Sequence, residues 1–372
     1  MIKFISSLFK VGNIALVIVY LLACLIPFLP PGKFWWIAGI GLVFPLLFFG
    51  VVFFFLFWLV TRSKWAWLSL VALILSWRQI AVFAGLHFNN AFEVEKKANT
   101  LRILSYNLSS WGETSKDNPM GIDQRKEMIS MITSQKADIL CFQEFLDTKG
   151  IDKDAILPIF KKAGYPYAYY VKTVVEDVHY NLGVAIISKY PFSGTANYQF
   201  GYSDNAEHLI YADINFNGKT IRVFTTHLQS VKFEENEYAT IRKIRQTDKP
   251  GLSNSTTLVK KLKYAYQFRG KQADSLHQKI TESPYPVIVC GDFNDVPNSY
   301  TYFTVKKGLQ DAFIQQGAGL GRTFRYLSPT LRIDYLLVDK NMTVEQYHRI
   351  KAPYSDHYPI LCDVTINDGV TK

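Results

Sequence analysis

The chain changes character near residue 100. Before that point apolar residues run on almost without interruption; after it, short apolar runs alternate with charged, amide and turn-forming residues. Three long runs fill the first part, at 11–29, 34–60 and 65–86. The first closes on Pro30-Pro31-Gly32, the second contains no charge, and the third is broken only by Arg78 and Gln79. A helix of about 20 apolar residues spans a bilayer, so the pattern predicts three transmembrane helices. Pro45 is placed to kink the second. Trp35, Trp36, Trp58, Trp65, Trp67 and Trp77 mostly flank the runs, at the level where indoles sit in a membrane interface. Lys3 and Lys10 ahead of the first run match the charged start of a cleaved leader. That run is long, has no small-residue cleavage site and is followed by two more, which favours a retained helix. Arg78 lies eight residues before Leu86 and reads as a snorkelling side chain, with a buried pairing between helices as the alternative.

Beyond a polar linker at 93–100, with Glu93, Glu95, Lys96 and Lys97, alternating and fully apolar runs predict strands. Each begins or ends on a group able to do chemistry. The run 101–106 reaches Asn107, 137–142 reaches Gln143 and Glu144, and 221–226 reaches His227. The run 287–290 passes through Gly291 to Asp292 and Asn294. Arg332-Ile333-Asp334 opens the run 335–338, and Ser355-Asp356-His357 precedes 360–364. Asp292 and Asn294 are two apart, so an extended chain points them the same way. One such boundary is commonly a turn with Asx residues; six are more than a solvated surface places by chance. Ile122, Met128, Ile129 and Ile132 fall at helical spacing and predict a helix over 122–135, with a shorter one at 156–163. A strand is predicted at 182–188, and Asn217-Gly218 predicts a hairpin between 211–216 and 219–226.

Composition agrees with two regions built for different solvents: 49% hydrophobic and 15% aromatic, yet 19% charged. The formal net charge is +10, but its distribution is uneven. The first 97 residues hold eight Lys/Arg against two Glu, and residues 232–271 hold ten basic against four acidic residues. What remains of the second region is slightly acidic, which weakens the nucleic-acid reading that a basic chain ordinarily invites. The basic excursion, 231–278, reads as a helical stretch, a flexible middle at 250–255 and a helix over 256–280. It is either a solvated helix face or a contact for anionic lipid head groups or a phosphate backbone. Cys24 falls in the first apolar run, and Cys141, Cys290 and Cys362 fall in apolar strands as small core residues; no zinc spacing occurs.

Taken in order, Tyr106-Asn107, Gln143-Glu144, the stretch 181–188, Thr226-His227-Leu228, Gly291-Asp292-Phe293-Asn294, Arg332-Ile333-Asp334-Tyr335 and Ser355-Asp356-His357 form a series. It resembles the endonuclease/exonuclease/phosphatase superfamily of metal-dependent phosphohydrolases, over about residues 100–366. Any one motif is weak; the ordered set is specific. The resemblance implies an α/β fold, a two-sheet β-sandwich flanked by helices, here preceded by three transmembrane helices. It implies Mg²⁺, or Mn²⁺, held by Asn107, Glu144 and Asp356, which are hard oxygen donors. Asp292 would position or deprotonate the attacking water, and Asn294 would help hold the phosphate. His227 and His357 would donate to developing charge, with Asp334 orienting His357. Asn181 would face substrate. Many relatives carry a second amide or acid two residues beyond the position of Asn107; this chain has Ser109 there, a departure that bears on a second metal. His87, His179, His208, His277 and His348 lie outside the main motifs and read as ordinary surface or core residues.

The expected organisation is a membrane anchor at 1–92, a linker at 93–100 and a catalytic domain at 101–372. The expected function is a membrane-anchored, metal-dependent phosphoesterase acting on a phosphodiester or phosphomonoester, with lipid head groups in reach. An endonuclease or exonuclease acting on nucleic acid is the second reading. A non-catalytic membrane scaffold is the third, disfavoured because every core position of the constellation is filled. Lys3 and Lys10, then Arg62 and Lys64, outnumber the single Lys33 of the opposite loop, so the positive-inside rule puts the N-terminus in the cytoplasm. Three crossings then place the catalytic domain outside the cytoplasm, on an integral protein of the cell inner membrane.

Overall fold

The structure, a computed structural model, describes residues 2–88, 91–112, 121–148, 156–177, 180–201, 207–231, 252–326 and 328–367. His179 and the first half of the basic excursion lie outside the described residues. The chain forms two compact units: Met1–Phe83, Gln229–Asp274 and Val296–Thr304 make one, and Ala84–Leu228, Ser275–Asp295 and Val305–Lys372 make the other.

The first unit opens with α1 (Ile2–Leu25), α2 (Pro31–Ala38), a short 3-10 stretch (Gly39–Val43), α3 (Phe44–Val60), α4 (Ala66–Leu75) and α5 (Trp77–Phe83). Two stretches, Ser6–Phe28 and Pro31–Val60, are long and apolar enough to cross a membrane. The third expected helix is not a single one: α4 and α5 meet at 69°, and only the bent pair together reaches spanning length. Local chemistry accounts for the bend. Ser76 Oγ donates back to Leu73 O at 3.0 Å and lies 2.5 Å from Tyr20 Oη, while Gln79 Nε2 donates to Cys24 O at 2.8 Å. A serine bonded to its own preceding turn weakens the helical ladder there, and the Gln79 bond draws the next turn toward the end of α1. Pro45 does not kink α3; it occupies the first turn, where a missing N–H costs nothing. Arg78 is exposed, 5.8 Å over the Phe28 ring.

The second unit, continuing in chain order, contains β1 (Gly85–Leu86), β2 (Thr100–Asn107), α6 (Gly121–Ser134), β3 (Ile139–Thr148), α7 (Ile156–Lys162), β4 (Tyr167–Asp177), β5 (Tyr180–Ser188), β6 (Phe192–Gln199), β7 (His208–Phe216) and β8 (Lys219–His227). Then come α8 (Leu252–Thr281), β9 (Val287–Asp292), α9 (Tyr300–Lys306), β10 (Leu309–Asp311), α10 (Ala312–Gln316), β11 (Ala318–Gly319), β12 (Asp334–Asp339), β13 (Met342–Arg349) and β14 (Ile360–Ile366). Helices α8 and α9 are shared between the two units. As the resemblance implied, there are two mixed six-stranded sheets, in the orders β10-β12-β9-β8-β7-β6 and β13-β14-β2-β3-β5-β4. The parallel pairs are β2/β3 and β8/β9, the ones with long crossovers.

Strand residues alternate between two buried clusters. Ile103, Cys141, Ile186, Val223, Cys290 and Cys362 belong to one cluster drawn from both sheets. Leu104, Phe142 and Ile187 belong to another with Met128 and Ile132 of α6 and Phe160 of α7. Strands buried on both faces are apolar at most positions, which is why runs such as 287–290 lack a polar alternate. Each fully buried Leu, Ile or Phe adds roughly 1.5–3 kcal/mol of apolar transfer energy. One polar exception is compensated: Arg102 and Asp363, cross-strand partners, are both 1% exposed and joined by two bonds of 2.7 and 2.8 Å.

Helix α8 begins at Leu252, running through part of the expected flexible middle. Its first three-quarters, to Asp274, belong to the membrane-helix unit. Gln267 Nε2 donates to Gly32 O at 2.8 Å, and a Cβ on Gly270 would stand 3.0 Å from Pro31 Cδ. In the same unit buried Asn298 donates to Ala23 O at 2.9 Å, meeting a carbonyl left over at the end of α1.

Candidate active site

Strand register does most of the assembly. His227 pairs with Asp292 across β8/β9, and Asp292 pairs with Asp334 across β9/β12, so three candidate site residues stand abreast on adjacent strands. In the other sheet Asn107 pairs with Gln143 across β2/β3. Strand β3 continues past the expected end to Thr148, and a register shift between Phe142 and Phe145 interrupts it. The odd residue, Glu144, takes a left-handed φ of +48°, which re-aims its carboxylate. Asn294 has a φ of +52°, a conformation asparagine tolerates well. Gly291, between strand and site, has no substitute: a Cβ there would lie 2.1 Å from Thr226 O on the neighbouring strand.

Asp292 is the hub. Its Oδ2 accepts from Asn107 Nδ2 at 3.0 Å and lies 3.7 Å from His227 Nε2 and 3.6 Å from His357 Nε2; its Oδ1 accepts the Asn294 N–H at 2.8 Å. Each histidine is backed by a carboxylate. His357 Nδ1 lies 2.9 and 3.1 Å from the two oxygens of Asp334, and His227 Nδ1 lies 3.2 Å from Glu207. Asn294 Nδ2 donates to Leu228 O at 2.9 Å and stands 3.0 Å from His227 Nε2. Glu144 Oε1 is 3.3 Å from Asn107 Nδ2 and 3.7 Å from His227 Nε2, while Asp356 Oδ1 is 4.0 Å from His357 Nε2. Glu144 and Asp356 are about a third exposed, whereas Asp292 and Asp334 are buried.

Burial and charge contend at these groups. Burial, then Asp334, pushes the Asp292 carboxyl up to about 6, against the pull of His357, His227 and the Asn294 N–H. Burial opposes charge on His227, but Glu207 above all, with Glu144 and Asp292, raises it to about 10. The Asn294 amide nitrogen beside Nε2 works the other way, because a donor there needs a lone pair on a neutral ring. Burial likewise opposes the His357 imidazolium, and Asp334 and Asp292 outweigh it, raising the ring well above its ordinary value.

Of the residues singled out from sequence, Asn107, Glu144, His227, Asp292, Asn294, Asp334, Asp356 and His357 are linked by these contacts. Asn181 lies on β5 opposite Asp147, and its side chain is outside the described residues. The Asn107 amide oxygen, the atom a metal would use, accepts from Ser109 N at 3.0 Å. Sequence reasoning missed Glu207. It is an acid just before a strand, with nothing local to mark it; only the β7/β8 pairing, Leu209 to Thr226, brings it beside His227. The sequence placed Ser355 in a motif but gave it no role; its Oγ donates to Asn107 O at 2.8 Å and accepts the His357 N–H at 3.1 Å.

The donor chemistry fits a hard divalent cation. Glu144, Glu207, Asp292, Asp334 and Asp356 outnumber the two imidazoles by three, so negative charge is left over even with both rings protonated. Asp292, Asp334 and His357 also offer ligand atoms within 4.8 Å of one another. Both Asp334 oxygens are turned on His357 Nδ1, so that trio is better described as a carboxylate–imidazole pair beside Asp292. Glu144 and Asp356 are partly exposed, so their carboxylate oxygens are the more accessible to a cation.

The family model of the endonuclease/exonuclease/phosphatase family matches residues 121–357, and the chain belongs to that family of phosphoester hydrolases. Residues 6–83 match a model described as a domain of unknown function. A phospholipase C of Staphylococcus aureus is 31% identical over 165 residues, 38% of this chain and 48% of its own length; the match spans about half of that relative. The crystal structure of an endonuclease/exonuclease/phosphatase from Beutenbergia cavernae DSM 12333 has the same fold, with a TM-score of 0.52 at 19% identity over 72% of each chain.

Proposed function

We propose that this chain is a membrane-anchored, divalent-metal-dependent phosphoesterase whose substrate is a lipid head group. The observation that supports it most is Asp292 flanked by two imidazoles, each with its own buried carboxylate. Glu144 and Asp356, with Asn107, would hold Mg²⁺ or Mn²⁺, which when bound neutralises phosphate oxygens. Asp292 orients the attacking water and accepts its proton. His357 and His227 donate hydrogen bonds to the charge that develops on phosphorus-bound oxygens, and Asp334 and Glu207 fix the two rings. Asn294, anchored on Leu228 O, would help hold the phosphate group; Asn181, whose side chain is outside the described residues, is assigned to substrate from sequence alone.

The lipid assignment rests on topology and likeness. Two spans put Pro31 and Gly32 on the face opposite Arg62 and Lys64. With the bent α4–α5 pair counted as a third crossing, the chain beyond Phe83 continues on the Pro31 face. The positive-inside rule makes that face extracytoplasmic in the inner membrane, away from genomic DNA. The phospholipase C likeness points the same way.

The test is a panel of phospholipids, sphingolipids, small phosphate esters, DNA and RNA, offered to the full chain with Mg²⁺, Mn²⁺ or EDTA. Metal-dependent hydrolysis of a lipid is expected, with His357→Ala and Asp292→Asn each slowing it roughly 10²–10³-fold. Cleavage of nucleic acid alone would make the chain a nuclease, and inertness on every class would make it a scaffold. An alkaline phosphatase fused after Lys372 should be active; an inactive fusion would return the domain to the cytoplasm.

A further inference from the structure

Within the first unit α8 has two unlike faces. Ala265, Tyr266, Arg269, Gly270 and Ala273 are buried, whereas Lys260, Lys263, Tyr264 and Lys271 are exposed. The exposed positions, with Gln267 between them, recur at helical spacing and form one stripe. Tyr264 is 51% exposed and Val259, on the opposite edge of the stripe, 48%. No carboxylate occurs in the sequence from 256 to 273; Asp274, which ends the stripe, accepts from Tyr300 Oη at 2.7 Å. A merely solvated helix mixes acids with its lysines and hides its valine and tyrosine.

The level of this stripe is set by its neighbours. Gln267 bonds Gly32 O beside the start of the second span, and Lys263 Nζ lies 5.7 Å over the Trp35 ring. Trp36 is 59% exposed, and Lys33 is exposed next to it. Tryptophans at the end of a span mark the head-group layer, so the turn of α8 that carries Lys263 and Gln267 stands at that layer. We propose that this face of α8 binds the anionic phospholipid head groups of the leaflet that meets Pro31. Val259 and Tyr264 rest at the boundary with the acyl chains, and Lys260, Lys263 and Lys271 reach head-group phosphates. Each lysine at an anionic surface strengthens such binding roughly fivefold, and salt weakens it.

The inference concerns binding and stands apart from the catalytic reading, so its test needs no turnover. The full chain is placed in nanodiscs of phosphatidylcholine alone or of an equal mixture with phosphatidylglycerol, and hydrogen exchange is followed over residues 256–271. Exchange is expected to be roughly ten- to hundredfold slower in the mixture, from three such lysines, and raised salt should erase the difference. Replacing Lys260, Lys263 and Lys271 together by Gln should abolish the lipid effect, whereas the triple Arg variant keeps it. Equal exchange of the wild type in the two discs would overturn the proposal, as would an effect indifferent to salt. A Gln variant that loses protection throughout α1 to α3 has misfolded; the Arg variant and the salt response then decide.

Discussion

Gly291→Ala is the sharpest test of how the sheet builds the site. Gly291 sits opposite Thr226 in the parallel β8/β9 pair, one residue before Asp292, with φ at +148°. A Cβ would stand 2.1 Å from Thr226 O and 3.1 Å from Thr226 N and C, all backbone atoms that cannot rotate aside. Strands spaced about 4.8 Å apart would have to separate locally by roughly 1 Å. Overpacking of this kind costs about 1–3 kcal/mol, and a side chain in that region of φ adds about 1–3 kcal/mol. The sum, roughly 2–6 kcal/mol, corresponds to a fall in Tm of about 4–24 °C for a unit of this size. Displacing Asp292 by about 1 Å should also cost on the order of 10² in turnover. Thermal unfolding of the full chain and kcat/KM on the substrate found by the panel measure the two effects. Gly308→Ala is the control: its φ is +87°, but nothing lies within 4 Å of the added Cβ. A Gly291→Ala protein that melts with the Gly308→Ala control and turns over like the wild type would refute the reasoning.

Three further outcomes are expected. Glu207→Gln keeps the shape but removes the charge behind His227, and should lower kcat roughly 10–100-fold with KM little changed; an unaltered kcat would make the pair purely structural. Arg102→Met leaves Asp363 buried without its partner and should cost about 3–5 kcal/mol in denaturant unfolding, with much of it recovered when Asp363→Leu is added; a loss below about 1 kcal/mol would show that water reaches the pair. Asn298→Leu leaves Ala23 O unpaired at the end of α1, at a cost of about 1–3 kcal/mol. Faster hydrogen exchange at the amides of the last turn of α1 is the expected sign, and unchanged exchange there would show that the bond is dispensable.

Much of the molecule was legible along the chain because local pattern and local structure coincide there. Strands buried on both faces demand largely apolar runs, membrane spans demand length without charge, and polar groups at run ends mark the strand ends where a site is built. What pattern could not supply is partnership between distant segments. Glu207 has no local signature, and it meets His227 only through a hairpin register fixed by Asn217-Gly218. Glu144 owes its direction to one extra residue in β3, which alternation alone reads as a strand end. The bend at Ser76 depends on Tyr20 and Gln79 reaching groups more than fifty residues away, so a 22-residue apolar run was indistinguishable from a straight span. In the same way a basic helix and a loop beyond Asp295 look like parts of a soluble domain. Only packing of Gly270 on Pro31 and Asn298 on Ala23 makes them part of the membrane unit, because close approach and the capping of free carbonyls are properties of pairs of segments, and a sequence states each segment alone.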